Sequence, residues 1–415
     1  MNLSTTDVRL VPLPEAKDVL TEVLRQGAQK LLAQAIEAEV ADWIDHHRHC
    51  LDDQGYRQVV RNGHLPARTL TTGVGPVEVQ QPRIHDRRAA DQREKFSSAI
   101  LPPYLRKTKS VEELIPWLYL KGISTGDFSE ALAALLGPQA KGLSASTVTR
   151  LKGSWEQASQ DWGKRALAGK HYVYGWADGV YFNIRLEGGR QCILVLMGAT
   201  ADGKKERIAL QDGQRESEQS WKELLLDVQA RGLTIDPALA IGDGGLGFWK
   251  AVRQVWATTR EQRCWVHKTA NVLDKLPRSV QPKAKGMLHA IYLAPSRAEA
   301  EKAFERFVRT YEAKYPKATE CLAKDRNELL TFYDFPAEHG LHLRTTNVIE
   351  SVFATVRLRT EKTKGTGTRQ ACLTMVFKLM ESASRRWRAL NGSALLADVI
   401  KGIVCVDGVK QEDAA

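Results

Sequence analysis

The 415-residue sequence contains no run of eighteen or more apolar residues, which excludes an apolar membrane-spanning helix. The first fourteen residues, Met1 to Pro14, lack a basic segment followed by an apolar core, so no secretory signal is expected there. Cysteine is scarce. Cys50, Cys192, Cys264, Cys321, Cys372 and Cys405 are scattered and lack the spacing of a disulfide framework. A reducing cytoplasm is the expected compartment. Long low-complexity tracts are absent too, and a chain of this length is expected to form about two to four globular domains.

Acidic residues are in the minority. Lys and Arg number 60 against 49 Asp and Glu, a formal net charge of +11. The imbalance is local. Residues 1–56 carry 5 basic and 10 acidic side chains, residues 57–170 carry 18 and 10, and residues 341–390 carry 10 and 3. Two concentrated basic segments suit a phosphate backbone, although they also suit two solvated faces.

Periodicity divides the chain. Pro14 to Ile44 reads as one amphipathic helix, with Leu20, Leu24, Ala28, Leu32, Ile36 and Val40 at four-residue intervals. It either packs on its own domain or forms a dimer contact. Val59-Val60, Arg68-Thr69-Leu70 and Val77-Glu78-Val79 are short strand candidates between glycine turns, a small sheet bearing Arg57, Arg61, Arg68, Arg83, Arg87 and Arg88. Val111 to Leu120, Ser124 to Leu136 and Ser144 to Gln157 return to helix. The last two suit a helix-turn-helix that would place Ser146, Thr149, Arg150 and Lys152 in a major groove. Paired helices of this kind also occur in ordinary bundles.

From His171 onward strands dominate. Tyr172–Ala177, Tyr181–Leu186 (joined to the first through Asp178-Gly179) and Cys192–Thr200 are expected strands. Helix Ser217–Ala230, strand Ala238–Ile241, helix Leu246–Trp256 and strand Gln262–Val266 follow. Three strands, a helix, a strand, a helix and a strand is the order of a ribonuclease H-like sheet. Residues 267–340 are helical and interrupt it, with Ser296-Arg297-Ala298-Glu299 as a capping box. The predicted fold is multidomain α/β: a ribonuclease H-like mixed sheet with an all-helical insertion, preceded by helical and small-sheet DNA-binding domains. Its parts are 1–56 (N-terminal helix), 57–100 (small basic β region and linker), 101–165 (helix-turn-helix-like), 166–266 (first catalytic part), 267–340 (helical insertion) and 341–415 (second catalytic part and basic C-terminal helices).

In a sheet of that order the strands before Asp178 and Asp243 both lie centrally, so the two carboxylates can approach one another. Two close carboxylates repel, and burying both is costly unless cations neutralise them. Hard oxygen ligands of this kind suit Mg²⁺ or Mn²⁺. Each aspartate alone also fits a turn or a glycine-flanked loop. Glu350 fits a capping box begun by Asn347. That local reading is strong; against it, a Glu in the first turn of a helix beside the sheet could ligate metal instead. Arg357, two turns on, lies on nearly the same face. Cys264-x-x-His267 supplies two of the four ligands of a zinc site, for which His339-x-x-His342 would have to give the others. His46-His47-x-His49-Cys50 reads as a surface cluster.

Four segments carry a resemblance. They are Trp176-Ala177-Asp178-Gly179, Gly242-Asp243-Gly244-Gly245-Leu246-Gly247-Phe248-Trp249, Cys264-Trp265-Val266-His267-Lys268 and Arg344-Thr345-Thr346-Asn347-Val348-Ile349-Glu350-Ser351. With the basic stretch Tyr56–Arg88 and the tail Arg357–Gly408, the sequence resembles the mutator-type family of bacterial insertion-sequence transposases. The one departure is Val348, where proline is usual.

The resemblance implies an Asp-Asp-Glu triad at Asp178, Asp243 and Glu350, separated by 65 and 107 residues. It implies two Mg²⁺ or Mn²⁺ ions and metal-dependent cleavage at the element's ends. It also implies, in preference to zinc, that Cys264 and His267 sit at a strand end beside the triad and shape the site, with His267 near a phosphate. The 3′ hydroxyl would then be joined to another phosphodiester without a covalent enzyme–DNA intermediate. The expected partners are double-stranded DNA, both terminal inverted repeats and target, and a second copy of the chain, because two ends must be joined together. Arg359, Lys362, Lys364, Arg385, Arg386 and Arg388 are further expected DNA contacts. Two competing readings remain: a non-catalytic DNA-binding protein, whether a decayed transposase or a regulator, and another ribonuclease H-like nuclease or resolvase.

Overall fold

The computed structural model describes residues 19–120, 128–136, 145–184, 186, 189–213, 215–362 and 368–411. The chain divides into two compact units, Met1–Val148 and Thr149–Ala415. Among the described residues, no helix is long and apolar enough to cross a membrane.

In the first unit, helix α1 (Val19–His46) buries only Ile36 and Val40. Ile36 packs with Val77, Val79 and Leu101 in a small core. The expected apolar stripe therefore works only in the C-terminal part of the helix, and Leu20 and Leu24 stay 68% and 51% exposed. The reason is length. A helix of 28 residues spans about 42 Å. The strands beside it are β1 (Val59–His64), β3 (Gly75–Val79) and β4 (Pro82–Asp86), with β2 (Arg68–Thr72) paired to β3. Strands that short reach only about 17–20 Å. They form two antiparallel pairs, β1 with β4 and β2 with β3. In the β2–β3 turn Gly75 adopts φ 98°, a left-handed conformation that favours glycine.

Helices α2 (Lys109–Leu120), α3 (Phe128–Leu136) and α4 (Ala145–Gly163) follow. The residues expected to make the helix-turn-helix turn, 137–144, lie outside the described residues, as do 121–127 at the expected start of its first helix.

The second unit is built on a five-stranded mixed sheet of β5 (Tyr172–Ile184), β6 (Gly189–Thr200), β7 (Lys205–Gly213), β8 (Leu239–Gly242) and β9 (Arg260–Arg263). The spatial order is β7-β6-β5-β8-β9. The β7, β6 and β5 strands pair antiparallel, whereas β8 and β9 run parallel to β5.

Two strand expectations are corrected here. Tyr172–Ala177 and Tyr181–Leu186 are one strand, β5, because Asp178 and Gly179 do not turn. They stay in the ladder opposite Val195 and Leu194. The missing strand is β7, whose charged sequence from Lys205 hid an edge position that only half needs apolar residues. The last strand ends at Arg263, and Trp265 already starts a helix.

Helices α5 (Glu218–Ala230) and α6 (Leu246–Val255) cover one face of the sheet. Trp221, Leu224, Phe248, Trp249 and Trp256 pack there against Ala177, Cys192, Leu194 and Leu196. The helical block that follows comprises α7 (Trp265–Leu273), α8 (Gln281–Tyr292), α9 (Arg297–Tyr311), α10 (Pro316–Ala323), α11 (Arg326–Leu330) and α12 (Gly340–Leu343). Ser296 caps α9 by accepting from Glu299 N at 3.2 Å, as its sequence predicts. Ala300, Phe304, Phe307 and Tyr311 form the buried stripe of that helix.

The two ends of this block meet. Trp265 N donates to Arg344 O at 2.9 Å. The chain then returns to the sheet as α13 (Asn347–Lys362) and α14 (Arg369–Ser384), which lie against β5 and β7. A short tail ends it: α15 (Leu396–Ile400) and the hairpin of β10 (Cys405–Val406) and β11 (Val409–Lys410).

Two buried bonds tie the sheet to the segment before α13. Trp176 Nε1 donates to His342 O at 3.0 Å. Tyr174 OH lies 2.8 Å from His339 Nδ1, while His339 Nε2 lies 3.0 Å from Gly392 O. A carbonyl can only accept, so Nε2 carries the proton. Burial holds the ring neutral by lowering its pKa, and Tyr174 is therefore the donor to Nδ1. Replacing Tyr174 by Phe orphans a buried acceptor, and urea unfolding is expected to register a loss of about 1–3 kcal/mol.

Candidate active site

The central sheet aligns two acids. Ala177 on β5 pairs with Gly242 on β8 in parallel register. The next residue on each strand is an aspartate, Asp178 and Asp243. Neighbouring strands lie about 4.8 Å apart, so the two carboxylates start from adjacent backbone positions. Asp178 is still held in the β5–β6 ladder, which fixes its backbone. Asp243 is just past the end of β8. Its carbonyl is held instead by Trp249 Nε1 at 2.7 Å and Arg263 Nη1 at 3.4 Å. The Arg263 guanidinium stacks on the Trp249 ring at 4.3 Å.

Glu350 enters in the first turn of α13. The cap of this helix is Thr346, not the expected Asn347: Thr346 O accepts from Ile349 N and Glu350 N at 2.8 and 3.1 Å. Thr346 is fully buried, and its hydroxyl donates to Glu350 Oε1 at 3.1 Å. It also lies 3.3 Å from Cys264 Sγ and 3.4 Å from His267 Nδ1. His267 Nε2 stands 3.8 Å from Glu350 Oε1. Cys264 caps α7 directly after β9, with its N donating to Gly242 O at 2.8 Å, and His267 sits in the first turn of that helix. Cys264, His267 and Glu350 thus bring potential ligand atoms within 4.8 Å of one another.

The electrostatics are those of crowded acids. Burial, assisted by Glu350 and Asp243, raises the Asp178 pKa to about 6 against the pull of His267. Burial pushes His267 down. Its hydrogen bond with Cys264 and the charges of Cys264, Asp243 and Asp178 outweigh that and raise it to about 9. A protonated imidazole therefore stands among the carboxylates at neutral pH.

One acid at this site went unnoticed in the sequence. Glu216 lies just before α5, and its pKa is raised to about 7, by burial first and then by Asp178 and Asp243. The only local signal was a glycine. A Cβ on Gly179 would come within 2.4 Å of the Glu216 side chain. Gly179 thus marks a close approach, not the turn its sequence suggested.

The zinc reading loses two ligands. Both ring nitrogens of His339 are engaged by Tyr174 and Gly392, and His342 Nε2 accepts from Asn391 N at 3.3 Å. Among the other expected contacts, Arg57, Arg83, Arg87, Arg150, Lys152, Arg357, Arg385, Arg386 and Arg388 are exposed. Arg61 is paired with Glu37 at 2.7 Å. Arg68 donates to the carbonyls of Leu101 and Pro102 at 2.9 and 3.0 Å. Lys364 and the side chains of Ser146, Thr149, Arg359 and Lys362 lie outside the described residues.

The profile of a family described as "Transposase, Mutator family" matches residues 3–389. The transposase for insertion sequence element IS6120 of Mycolicibacterium smegmatis is 51% identical over 294 residues, 71% of this chain and 90% of that one. The transposase for IST2 of Acidithiobacillus ferrooxidans is 48% identical over 287 residues, 68% of this chain and 95% of that one. The Drosophila P element transposase strand transfer complex overlaps 75% of this chain and 86% of the other at 10% identity, with a TM-score of 0.27, too low to carry an argument.

The pKa shifts fix a sign. Asp178 and Glu216 have folded pKa values above the ordinary 3.8 and 4.5, so their stabilising protonation is lost as pH rises through about 6 and 7. His267, raised to about 9, loses its contribution above neutrality, in the same direction. In chelator-treated protein, Asp178→Asn is expected to raise the thermal midpoint at pH 8 and to leave it nearly unchanged at pH 4. Scanning calorimetry across that range checks the crossing; an equal shift at both pH values would remove the charge explanation.

Proposed function

The chain belongs to the mutator family of transposases, and from that premise we propose that Asp178, Asp243 and Glu350 form a metal-dependent centre that cuts DNA at the ends of an insertion sequence and joins the freed 3′ hydroxyl to another phosphodiester. The register that aligns Ala177 with Gly242 carries this reading, because it brings two acids 65 residues apart side by side. The sheet order, with three antiparallel strands and two further strands parallel to the central one, supports a ribonuclease H-like assignment.

The residues present fit Mg²⁺ or Mn²⁺. Their donors are hard carboxylate oxygens, and burial and mutual repulsion hold Asp178 so high that a cation is the natural counterion. A pair of such ions would lower the pKa of an attacking water and stabilise the leaving oxygen.

The chain's own residues do the positioning. The β5–β6 ladder holds Asp178, Trp249 and Arg263 hold the Asp243 backbone, and Thr346 orients Glu350. His267, protonated at neutral pH, offsets part of the acidic charge, and it is proposed to contact a DNA phosphate. The exposed arginines of the small sheet and of α4 are proposed to hold the terminal repeats by their phosphates. Two ends joined in concert require at least a dimer on DNA.

The test is a plasmid bearing the element's terminal inverted repeats, incubated with protein and Mg²⁺. Joined products are expected. Binding without cleavage would favour a non-catalytic DNA-binding protein, and hydrolysis without joining a simple nuclease. Asp178→Asn, Asp243→Asn and Glu350→Gln are each expected to abolish cleavage while retaining binding to the repeats in a mobility-shift assay. Robust cleavage by any one variant would remove that residue from the centre.

A further inference from the structure

We propose that Glu216 is a fourth carboxylate of the metal centre, approaching the Asp178–Asp243 pair from the sheet face covered by α5 and α6 while Glu350 approaches from the face covered by α13. The inference rests on the metal-centre reading above and extends it to a residue outside the triad.

Three glycines make the case. A Cβ on Gly179, the residue after Asp178, would stand 2.4 Å from Glu216 Cγ and Cδ and 2.5 Å from Oε1. A Cβ on Gly245, two residues after Asp243, would stand 3.5 Å from Glu216 Oε2. A Cβ on Gly247 would run into the Glu216 carbonyl at 2.4 Å. One carboxylate oxygen therefore faces the chain beyond Asp178 and the other the chain beyond Asp243. A side chain at Gly179 would push the carboxylate away, and one at Gly247 would displace the backbone that carries it.

The faces follow from strand alternation. Ala177 belongs to the core under α5 and α6, and so does Leu194, the partner of Gly179. Gly179 therefore opens toward those helices and Asp178 toward the other face.

The ordinary explanation for an acid at a helix start is the helix dipole. In α5 that place is taken by Glu218, which lies in the first turn, accepts from Gln254 Nε2 at 2.7 Å and pairs with Lys250 at 3.4 Å. Ser217 is the cap, accepting from Ser220 N. Glu216 precedes the cap and is turned away over β5. A hydrogen-bonding pull from Tyr181 opposes part of the rise in its pKa. No salt bridge joins it to a cationic side chain among the described residues. A half-buried carboxylate beside two other acids, without a paired cation, is placed where a divalent ion would balance it.

The test uses the full chain and Mn²⁺ alone, with free Mn²⁺ counted by electron paramagnetic resonance. Glu216→Gln keeps the shape and removes the charge. It is expected to weaken Mn²⁺ binding by about 10-fold or more, while the chelator-treated variant melts no lower than the parent. Glu216→Asp, which keeps the charge on a shorter arm, should fall between the two.

Unchanged Mn²⁺ affinity in Glu216→Gln, with affinity weakened in Asp178→Asn, overturns the role of Glu216 and leaves the triad standing. A Glu216→Gln variant that melts lower without metal and binds Mn²⁺ normally marks a structural residue and also overturns it. Failure of the parent chain to bind Mn²⁺ at all would instead sink the metal-centre reading itself.

Discussion

The parallel ladder between β5 and β8 sets Ala177 opposite Gly242, and everything proposed for the larger unit depends on that one register. A slip of β8 by one residue would turn Asp243 to the face under α5 and α6, among tryptophans, while the β5–β6 ladder kept Asp178 on the other face. The register is held from both sides. Ala238 N bonds Val173 O and Arg260 N bonds Ala238 O, at 2.9 and 3.2 Å, so the short β8 is fixed at its start as well as along its length. Strand β8 is buried throughout, as a central parallel strand requires.

That arrangement concentrates negative charge in the interior, and the surroundings answer it unevenly. Arg263 is buried beneath the Asp243 loop, but its guanidinium supports the backbone there and also faces Asp325 and Glu261. Lys268 is committed to Asp325 and the Cys321 carbonyl. Cationic side chains next to the acids thus serve the scaffold, and His267 is the one that shifts the carboxylates directly. The repulsion left over is the physical ground for expecting divalent cations.

Much of this was legible in the sequence, and the failures have identifiable causes. The Asp178–Asp243 pairing followed from element order, because buried strands next to glycine-rich turns are strong signals. The strand count came out right by two compensating errors. Gly179 imitated a turn and split β5, while the charged edge strand β7 was passed over. Glu350 had an adequate local explanation as a cap partner, and only the buried hydroxyl of Thr346, which holds it beside His267, distinguishes its place. Glu216 was invisible because Arg215-Glu216-Ser217-Glu218 reads as an ordinary helix start. Its meaning depends on glycines far away in the chain. Basic residues were read by type alone, so Arg61 and Arg68 could not be told from their exposed neighbours.

The hydrogen bond from Trp265 N to Arg344 O closes the helical block at its base. Glu350 follows that closure by only a few residues, whereas Asp178 and Asp243 precede it. During synthesis the ribosome therefore delivers both aspartates long before the glutamate, and the two groups meet only after about eighty intervening residues have folded and brought Arg344 back to Trp265. A half-made polypeptide carries the acids but not the assembled centre. Under the metal centre proposed above, chain order alone would keep an unfinished polypeptide from bringing all three acids together.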